Sequence, residues 1–222
     1  MARRNGAPVE RSVVLRMNGS CLTVRATLDG HVVRGRGQLT LDALLASALF
    51  DRTGNVQQAI EGVPIRCDDR LFWASRAYFD EWPVTPLAMV QSMKPDDIWL
   101  DPANLKKNKH GALHRKFASM PDAILNTYEA VTSASIHWYC TGDQDAILDL
   151  LQDITHIGKK RTALVLNWEL ETGDLDGLHG YLDEPIRPVP IDRWDGDRSG
   201  VVVDAAWAPA YWDVRNRTAC FV

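Results

Sequence analysis

The chain has 222 residues, 45% of them hydrophobic, and a formal net charge of −4, which is typical of one elaborated domain. No stretch approaches the roughly 20 uninterrupted apolar residues of a membrane helix, and the N-terminal residues lack the apolar run of a signal peptide. The four cysteines include no Cys-x-x-Cys pair, which argues against a zinc site and a dense disulfide framework. We therefore expect a cytoplasmic protein with reduced thiols.

The first predicted unit is a strand, a basic loop and a helix. Residues 21–28 alternate and are rich in β-forming side chains, and the Asp-Gly pair at 29–30 is a strong turn signal after them. Residues 34–37, Arg-Gly-Arg-Gly, predict a short basic loop. Thr40 suits a helix N-cap, and apolar residues then follow at helical spacing until Gly54, which lies just past the predicted helix end.

The second predicted strand is followed by a long irregular stretch. Residues 71–78 are rich in aromatic side chains and indicate a strand. Five prolines then interrupt residues 80–132, a length of irregular chain that is more often functional than structural. We interpret residues 80–132 as a thumb-like insertion within a single domain that spans residues 1–222.

Regular patterning returns after the insertion. Residues 135–139 predict a third strand, and Asp143 can cap a helix that runs to about His156. Gly158 stands where a left-handed C-terminal cap of that helix is expected. Residues 162–170 form the clearest strand pattern in the chain.

The resulting order of elements is β-α-β, an insertion, and β-α-β. This order predicts an α+β protein with a ferredoxin-like (RRM-like) βαββαβ core, whose helices cover one face of an antiparallel sheet. Residues 172–222 are interpreted as an acidic C-terminal extension with one short strand at 200–204.

The segment from Gly158 to Arg161 is the most informative motif. A glycine lets the backbone and the three cations Lys159, Lys160 and Arg161 approach a phosphate chain closely. The same residues are also explained if Gly158 merely caps a helix and the cations complement its negative end. Local chemistry leaves both interpretations open.

The distribution of charge bears on a nucleic-acid function, because a free-standing binder usually has a net basic face. Seven arginines and two acids lie in residues 1–37, and residues 105–117 hold five lysines and arginines, two histidines and no acid. Ten acids and three arginines lie in residues 171–213. Since screening at cellular salt acts over about 8 Å, the two basic zones matter more than the whole-chain sum. Solvated surface charge explains them equally well.

The candidate RNA-binding residues come from the glycine motif, the basic zone inside the insertion and the Arg-Gly loop. They are Gly158, Lys159, Lys160, Arg161, Lys106, Lys107, Lys109, His110, Arg115, Lys116, Arg34 and Arg36.

Signals for catalysis are weak. The six histidines include no His-Glu-x-x-His pair, and the chain has no Gly-x-Ser-x-Gly motif and no Walker loop. We expect no catalytic residues, no metal and no cofactor. One alternative is a metal-independent endoribonuclease that processes guide-RNA precursor, with His110, His114 or His156 beside a lysine as its candidates.

The eight tryptophans support a second alternative. Trp73, Trp138 and Trp168 lie in predicted strands and are expected in the core. Trp194, Trp207 and Trp212 lie in the acidic extension and are typical of a protein interface. A protein-interaction module without RNA contact therefore also remains open.

Four short motifs occur in an order that is similar to one known family, and together they cover roughly residues 20–190. They resemble the RAMP-superfamily subunit of type IV CRISPR effector complexes that holds the 5′ handle of the guide RNA. The motifs are Leu41-Asp42-Ala43-Leu44-Leu45, Phe72-Trp73-Ala74-Ser75, Ile157-Gly158-Lys159-Lys160-Arg161 and Arg187-Pro188-Val189-Pro190.

The resemblance implies a ferredoxin-like core, a protruding insertion that contacts the guide, and a glycine-rich loop after the last core helix. Gly158 to Arg161 match the beginning of that loop, but Ala163 and Leu164 stand where further glycines are usual. It also implies a non-catalytic subunit for antiviral defence that binds crRNA and caps the backbone filament. The implied partners are the crRNA, the backbone and large or small subunits and, through the complex, target DNA, with no membrane contact.

Overall fold

The computed structural model describes residues 19–33, 38–92 and 123–222, and this part is α+β with mostly antiparallel sheets. None of its helices combines the length and apolar character that crossing a membrane requires. The elements are β1 (Ser20–Val33), α1 (Leu41–Thr53), α2 (Val56–Glu61), β2 (Cys67–Asp68), β3 (Leu71–Phe72), β4 (Tyr78–Phe79), β5 (Val84–Ser92), β6 (Ala123–Thr132), β7 (Ser135–Gly142), α3 (Gln144–Leu151), β8 (His156–Ile157), β9 (Ala163–Thr172), β10 (Val189–Pro190), β11 (Val202–Ala206), a 3₁₀ turn (Val214–Asn216) and β12 (Arg217–Phe221).

The main sheet is built around β1, which pairs antiparallel with β7 on one side and with β9 on the other. β4 continues the sheet beyond β7, and β8 continues it beyond β9, again antiparallel. Alternate residues of β1, among them Leu22 and Val24, are fully buried and pack with Leu45 of α1 and Ile147 of α3. The helices therefore cover one face of the sheet, and the polar alternate residues of β1 lie on the other face.

The predicted turn at 29–30 is wrong, because β1 continues to Val33. The strand contains a register shift after Thr27, and Gly30 has a φ of +105°. A glycine accepts this backbone conformation within a strand, so the chain bends without turning back. The last three residues of β1 then pair with β6 instead of β9.

The prediction of irregular chain across residues 80–132 is wrong at both of its ends. β5 and β6 form a long antiparallel pair, and among the described strands it is the end of β1 that joins this pair to the sheet. β5 is the edge strand, where Pro86 is tolerated because only one side of the strand needs ladder hydrogen bonds. Val90 is 73% and Leu125 66% exposed. The β5–β6 pair is therefore an arm whose apolar side chains are largely open to solvent. Residues 93–122 lie outside the described part.

The predicted first helix is confirmed, but the second helix is shorter than expected. Thr40 precedes α1, and Gly54 ends it in the left-handed conformation with its N–H donated to Phe50 O at 2.8 Å. Asp143 caps α3, since its side chain accepts from Ala146 N–H. The prediction that this helix runs to about His156 is wrong, because α3 ends at Leu151 and His156 pairs with β9.

The single predicted second strand, residues 71–78, is instead two short strands, β3 and β4. Between them, Ala74 forms an isolated bridge with Cys140, and Arg76 forms one with Thr40. Of the three tryptophans expected in the core, Trp138 is fully buried, and Trp73 and Trp168 are partly buried against the same cluster.

The acidic extension has more structure than its sequence predicted. β10, β12 and β11 form a three-stranded sheet where one strand was expected. Trp194 is 2% exposed and packs with Val189 and Phe221 in a second apolar cluster. The prediction of an interface is therefore wrong for Trp194, whereas Trp212 is 77% exposed.

A histidine clamp stabilises the extension in a pH-dependent way. His179 Nδ1 and Nε2 each lie 3.0 Å from a carboxylate, of Asp176 and Asp195 respectively. Burial alone would lower the pKa of His179, but these two acids raise it above its ordinary value. The charged form is therefore favoured by folding, and its contribution is present below about pH 6.5 and is lost as the pH rises through the folded pKa.

We predict that His179→Gln lowers the melting temperature more at pH 5.5 than at pH 8.5. The difference corresponds to no more than about 1 kcal/mol, because the clamp is partly exposed. Thermal unfolding of both proteins at the two pH values tests this. An equal loss at both pH values would show that the charge of His179 is not involved.

Candidate nucleic-acid interface

The glycine motif forms the turn between β8 and β9. Gly158 has a φ of +84°, and a Cβ at this position would lie 3.1 Å from Val32 Cγ1 and 3.2 Å from Val33 N. Glycine is therefore favoured at this position both by the left-handed backbone conformation and by the lack of room for a Cβ beside Val32 and Val33. The helix-cap interpretation of Gly158 is wrong, because α3 ends seven residues earlier at Leu151 and the three cations do not complement a helix end.

Two hydrogen bonds hold the turn against the end of β1, and a third closes the turn itself. Lys159 N–H donates to Val33 O at 2.9 Å, and Val33 N–H donates to Thr162 Oγ1 at 3.1 Å. Within the turn, Arg161 N–H donates to Gly158 O at 3.0 Å. Lys160 and Arg161 both have positive φ, +67° and +55°, a conformation that costs non-glycine residues of the order of 1 kcal/mol or more. These contacts fix where the cations of the turn lie.

A cleft of about 820 Å³ opens beside this turn. Its walls come from the end of β1, from α1, from β4 and from β8 and the turn that follows it. Arg76, Lys159 and Arg161 line the cleft together with His156, and the described residues that line it include no aspartate and no glutamate. The cleft is therefore locally cationic in a chain of net charge −4.

Three aromatic residues in and after β4 also contribute to the lining of the cleft. Tyr78, Phe79 and Trp82 all line the cleft. The Trp82 ring packs edge-on against Phe79, with 5.0 Å between the ring centroids, and Trp82 is 51% exposed. The Arg76 guanidinium lies 5.5 Å from the centre of the Tyr78 ring. Basic and aromatic residues thus contribute to the lining of one cleft, a combination typical of single-stranded nucleic-acid sites.

The turn also contacts the root of the arm. Lys159 Nζ lies 4.7 Å from the centre of the Tyr128 ring on β6, and Val33, which accepts the Lys159 N–H, pairs with Ala130 of β6. The antiparallel arm that leads to residues 93–122 therefore starts next to the glycine turn. Two distant parts of the sequence meet there.

Of the predicted RNA-binding residues, Gly158, Lys159 and Arg161 line the cleft. Lys160 is exposed but is not among the lining residues, and Arg161 also forms an exposed ion pair with Asp51 at 3.5 Å. The remaining predicted residues lie outside the described part of the chain: Arg34, Arg36, Lys106, Lys107, Lys109, His110, Arg115 and Lys116. Val33 and Gln38, which flank residues 34–37, both line the cleft.

Sequence reasoning missed the residues in and next to β4 that line the cleft. Arg76, Tyr78, Phe79 and Trp82 lie within seven positions of one another, and a cation among aromatic residues was a usable signal for nucleic-acid binding. Arg76 and Tyr78 were interpreted only as part of a strand, since strands also favour aromatic residues, and Trp82 fell in the stretch predicted to be irregular.

Of the three histidines considered for catalysis, His156 lies in the described part of the chain. His156 lines the cleft, and its Nδ1 lies 3.0 Å from Thr155 Oγ1. The other two candidates, His110 and His114, lie outside the described part. Within residues 19–33, 38–92 and 123–222, no group of three or more His, Cys, Asp or Glu side chains has the arrangement of a metal site.

A second polar cluster, not predicted from the sequence, lies where β4 meets β7. Asp80 accepts a hydrogen bond from Ser135 and lies 3.2 Å from His137 Nδ1 and 3.4 Å from Arg25 Nη1. Burial lowers the pKa of His137, although Asp80 opposes this. His137 also stacks on Tyr78 with 5.6 Å between the centroids. The cluster ties the short strand β4 to the sheet and so positions the aromatic wall of the cleft.

No protein-family model matches the sequence, and no curated protein matches it either.

Proposed function

We propose that this protein is a non-catalytic RNA-binding subunit of a type IV CRISPR ribonucleoprotein. In this role it holds the 5′ handle of the crRNA and caps the backbone filament. The observation that carries the RNA-binding part is the cleft at the root of the arm, whose described lining includes Arg76, Lys159, Arg161 and aromatic residues but no aspartate or glutamate. The assignment to this family rests on the order of its four short motifs along residues 20–190.

Phosphate contacts explain how an acidic chain binds RNA. Cations that neutralise phosphates release counterions, and this gain depends on the local site and not on the whole-chain charge. The guanidinium groups of Arg76 and Arg161 suit two-point contacts with phosphate oxygens, and the Lys159 ammonium acts as a point charge. Such contacts hold and orient a strand without reading its sequence, which suits a constant handle.

The connectivity of the main sheet supports the finer fold assignment. The neighbouring strands β9, β1, β7 and β4 are all antiparallel, α1 lies between β1 and β4 in the chain, and α3 lies between β7 and β9. This is the strand order expected of a βαββαβ ferredoxin-like core. We propose that the β5–β6 arm is the thumb-like insertion and that its basic residues 105–117 contact the guide.

The partners proposed for this subunit are the crRNA, the backbone subunits and the large or small subunits of the effector, with target DNA reached through the complex. The C-terminal extension offers a separate surface for neighbours, because Trp212 and Val214 are 77% and 76% exposed there. A cytoplasmic location is consistent with such an assembly.

Sequencing the nucleic acid that co-purifies with the tagged complex tests the proposed function. We expect a population of guide RNAs that share one 5′ handle. A complex that assembles and contains no RNA would contradict the proposal and favour a protein-interaction module.

The non-catalytic part of the proposal has its own test. We expect repeat RNA that is incubated with the purified protein in EDTA to keep its length. Specific cleavage that disappears in His156→Ala would contradict this part and favour a metal-independent endoribonuclease.

A further inference from the structure

We infer that the cleft seats an unpaired nucleobase against Trp82 and Phe79 while the neighbouring phosphates lie on Lys159 and Arg161. Its ligand is therefore single-stranded RNA and not a double helix. This inference rests on the proposed function, since it names the form of RNA that the same cleft takes.

The lining of the cleft supplies both kinds of contact that a nucleotide can make, cations for its phosphate and aromatic rings for its base. Lys159 and Arg161 stand on the side of the glycine turn, and Trp82 and Phe79 stand on the side of β4. Leu39 and Leu44 also line the cleft, so a base that enters it leaves water for an apolar surface. Stacking on aromatic side chains tolerates any base, because every base has a π-face.

The size of the cleft favours the same ligand. Its volume of about 820 Å³ lies within the roughly 300–1,000 Å³ that is usual for sites that enclose small molecules. The cleft therefore accommodates one or two nucleotides. In a double helix the bases are stacked and paired, and their π-faces do not reach aromatic side chains while the phosphates contact the cations. A duplex would therefore contact the cations through its phosphates and would not stack on the aromatic side chains.

The inference predicts a loss of affinity when the aromatic wall is removed. Trp82→Ala in the full chain should weaken binding of a labelled single-stranded handle RNA by about 5- to 150-fold in fluorescence anisotropy, the range for one lost stacking contact. Trp82→Phe should retain most of the affinity, because it keeps a ring at this position. Trp212→Ala is the matched control, since Trp212 is 77% exposed on the C-terminal extension, and it should bind like the wild type.

Two further measurements change the RNA and keep the wild-type protein. Duplex RNA of the same sequence should bind more weakly than the single strand. A series of handle RNAs with one abasic position each should contain at least one member that binds about as weakly as Trp82→Ala does to the intact RNA.

The outcomes separate this inference from the proposed function. Equal affinity for single-stranded and duplex RNA, or an unchanged affinity of Trp82→Ala, overturns the base site but leaves a phosphate-binding cleft intact. If Lys159→Glu with Arg161→Glu also binds the handle like the wild type, the proposed location of the RNA fails as well. A wild-type protein that binds no RNA in either form overturns both.

Discussion

Replacing Arg187 with alanine is expected to lower the free energy of unfolding by about 3–5 kcal/mol. Arg187 is fully buried, and its guanidinium donates to Ala74 O at 2.9 Å, to Trp207 O at 3.0 Å and to Tyr211 Oη at 2.8 Å. It also lies 3.4 Å from Asp42, whose side chain is fully buried at the start of α1. Alanine would leave the Asp42 carboxylate in the interior without its cation, with only the hydrogen bond from Tyr211 Oη, and would remove the donor to buried backbone carbonyl oxygens.

The same network explains why Arg187→Ala should destabilise the whole described part of the chain and not the C-terminal extension alone. Ala74 belongs to the main core cluster, whereas Trp207 packs against the second cluster, so one guanidinium joins the two. We expect a single cooperative transition in urea that is shifted to lower concentration.

Arg217→Ala is the matched control for this prediction. Arg217 is an arginine of the same extension, but its ion pair with Asp204 is exposed, so its loss should change stability by less than about 1 kcal/mol. Equal urea midpoints for Arg187→Ala and the wild type would show that the buried network does not stabilise the fold.

Reversing the two cations of the glycine turn that line the cleft, Lys159 and Arg161, is expected to weaken RNA binding strongly. Lys159→Glu with Arg161→Glu removes two phosphate contacts and places two anions in the cleft. The affinity for handle RNA should fall by roughly 10- to 100-fold, and the slope of log affinity against log salt should decrease by about 2. Both side chains are exposed, so the melting temperature should change little.

The matched control carries the same change in net charge at another surface. Arg215→Glu with Arg217→Glu reverses two arginines of the C-terminal extension, which form exposed pairs with Asp213 and Asp204. This variant should keep the wild-type salt slope. Equal losses of affinity in both double variants would indicate a response to net charge and not a site in the cleft.

Local patterning was enough to predict the elements whose signals lie within a few residues. The helical spacing before Gly54 predicted α1, and the alternation in residues 21–28 predicted most of β1. The strands of the arm were missed because β5 contains Pro86 and carries apolar residues on both faces, so that its sequence lacks the alternation of a half-buried strand.

The environment of Gly158 was not predictable, because a helix C-cap and a tight turn between strands require the same residue. Only the pairing of His156 with Leu164 across β8 and β9 decides between them, and that pairing depends on where β1 lies. Arg76 and Lys159 line the same cleft although they lie more than 80 positions apart in the chain. The sheet topology brings them together, and no local sequence pattern predicts this.

Ultraviolet crosslinking of the guide RNA in the purified complex, with identification of the crosslinked peptides by mass spectrometry, locates the RNA on this subunit directly. We expect crosslinked nucleotides on the peptides that contain residues 76–82 and 158–161, which form the two walls of the cleft. Crosslinks confined to the C-terminal extension, with none on either wall, would contradict an RNA site in the cleft.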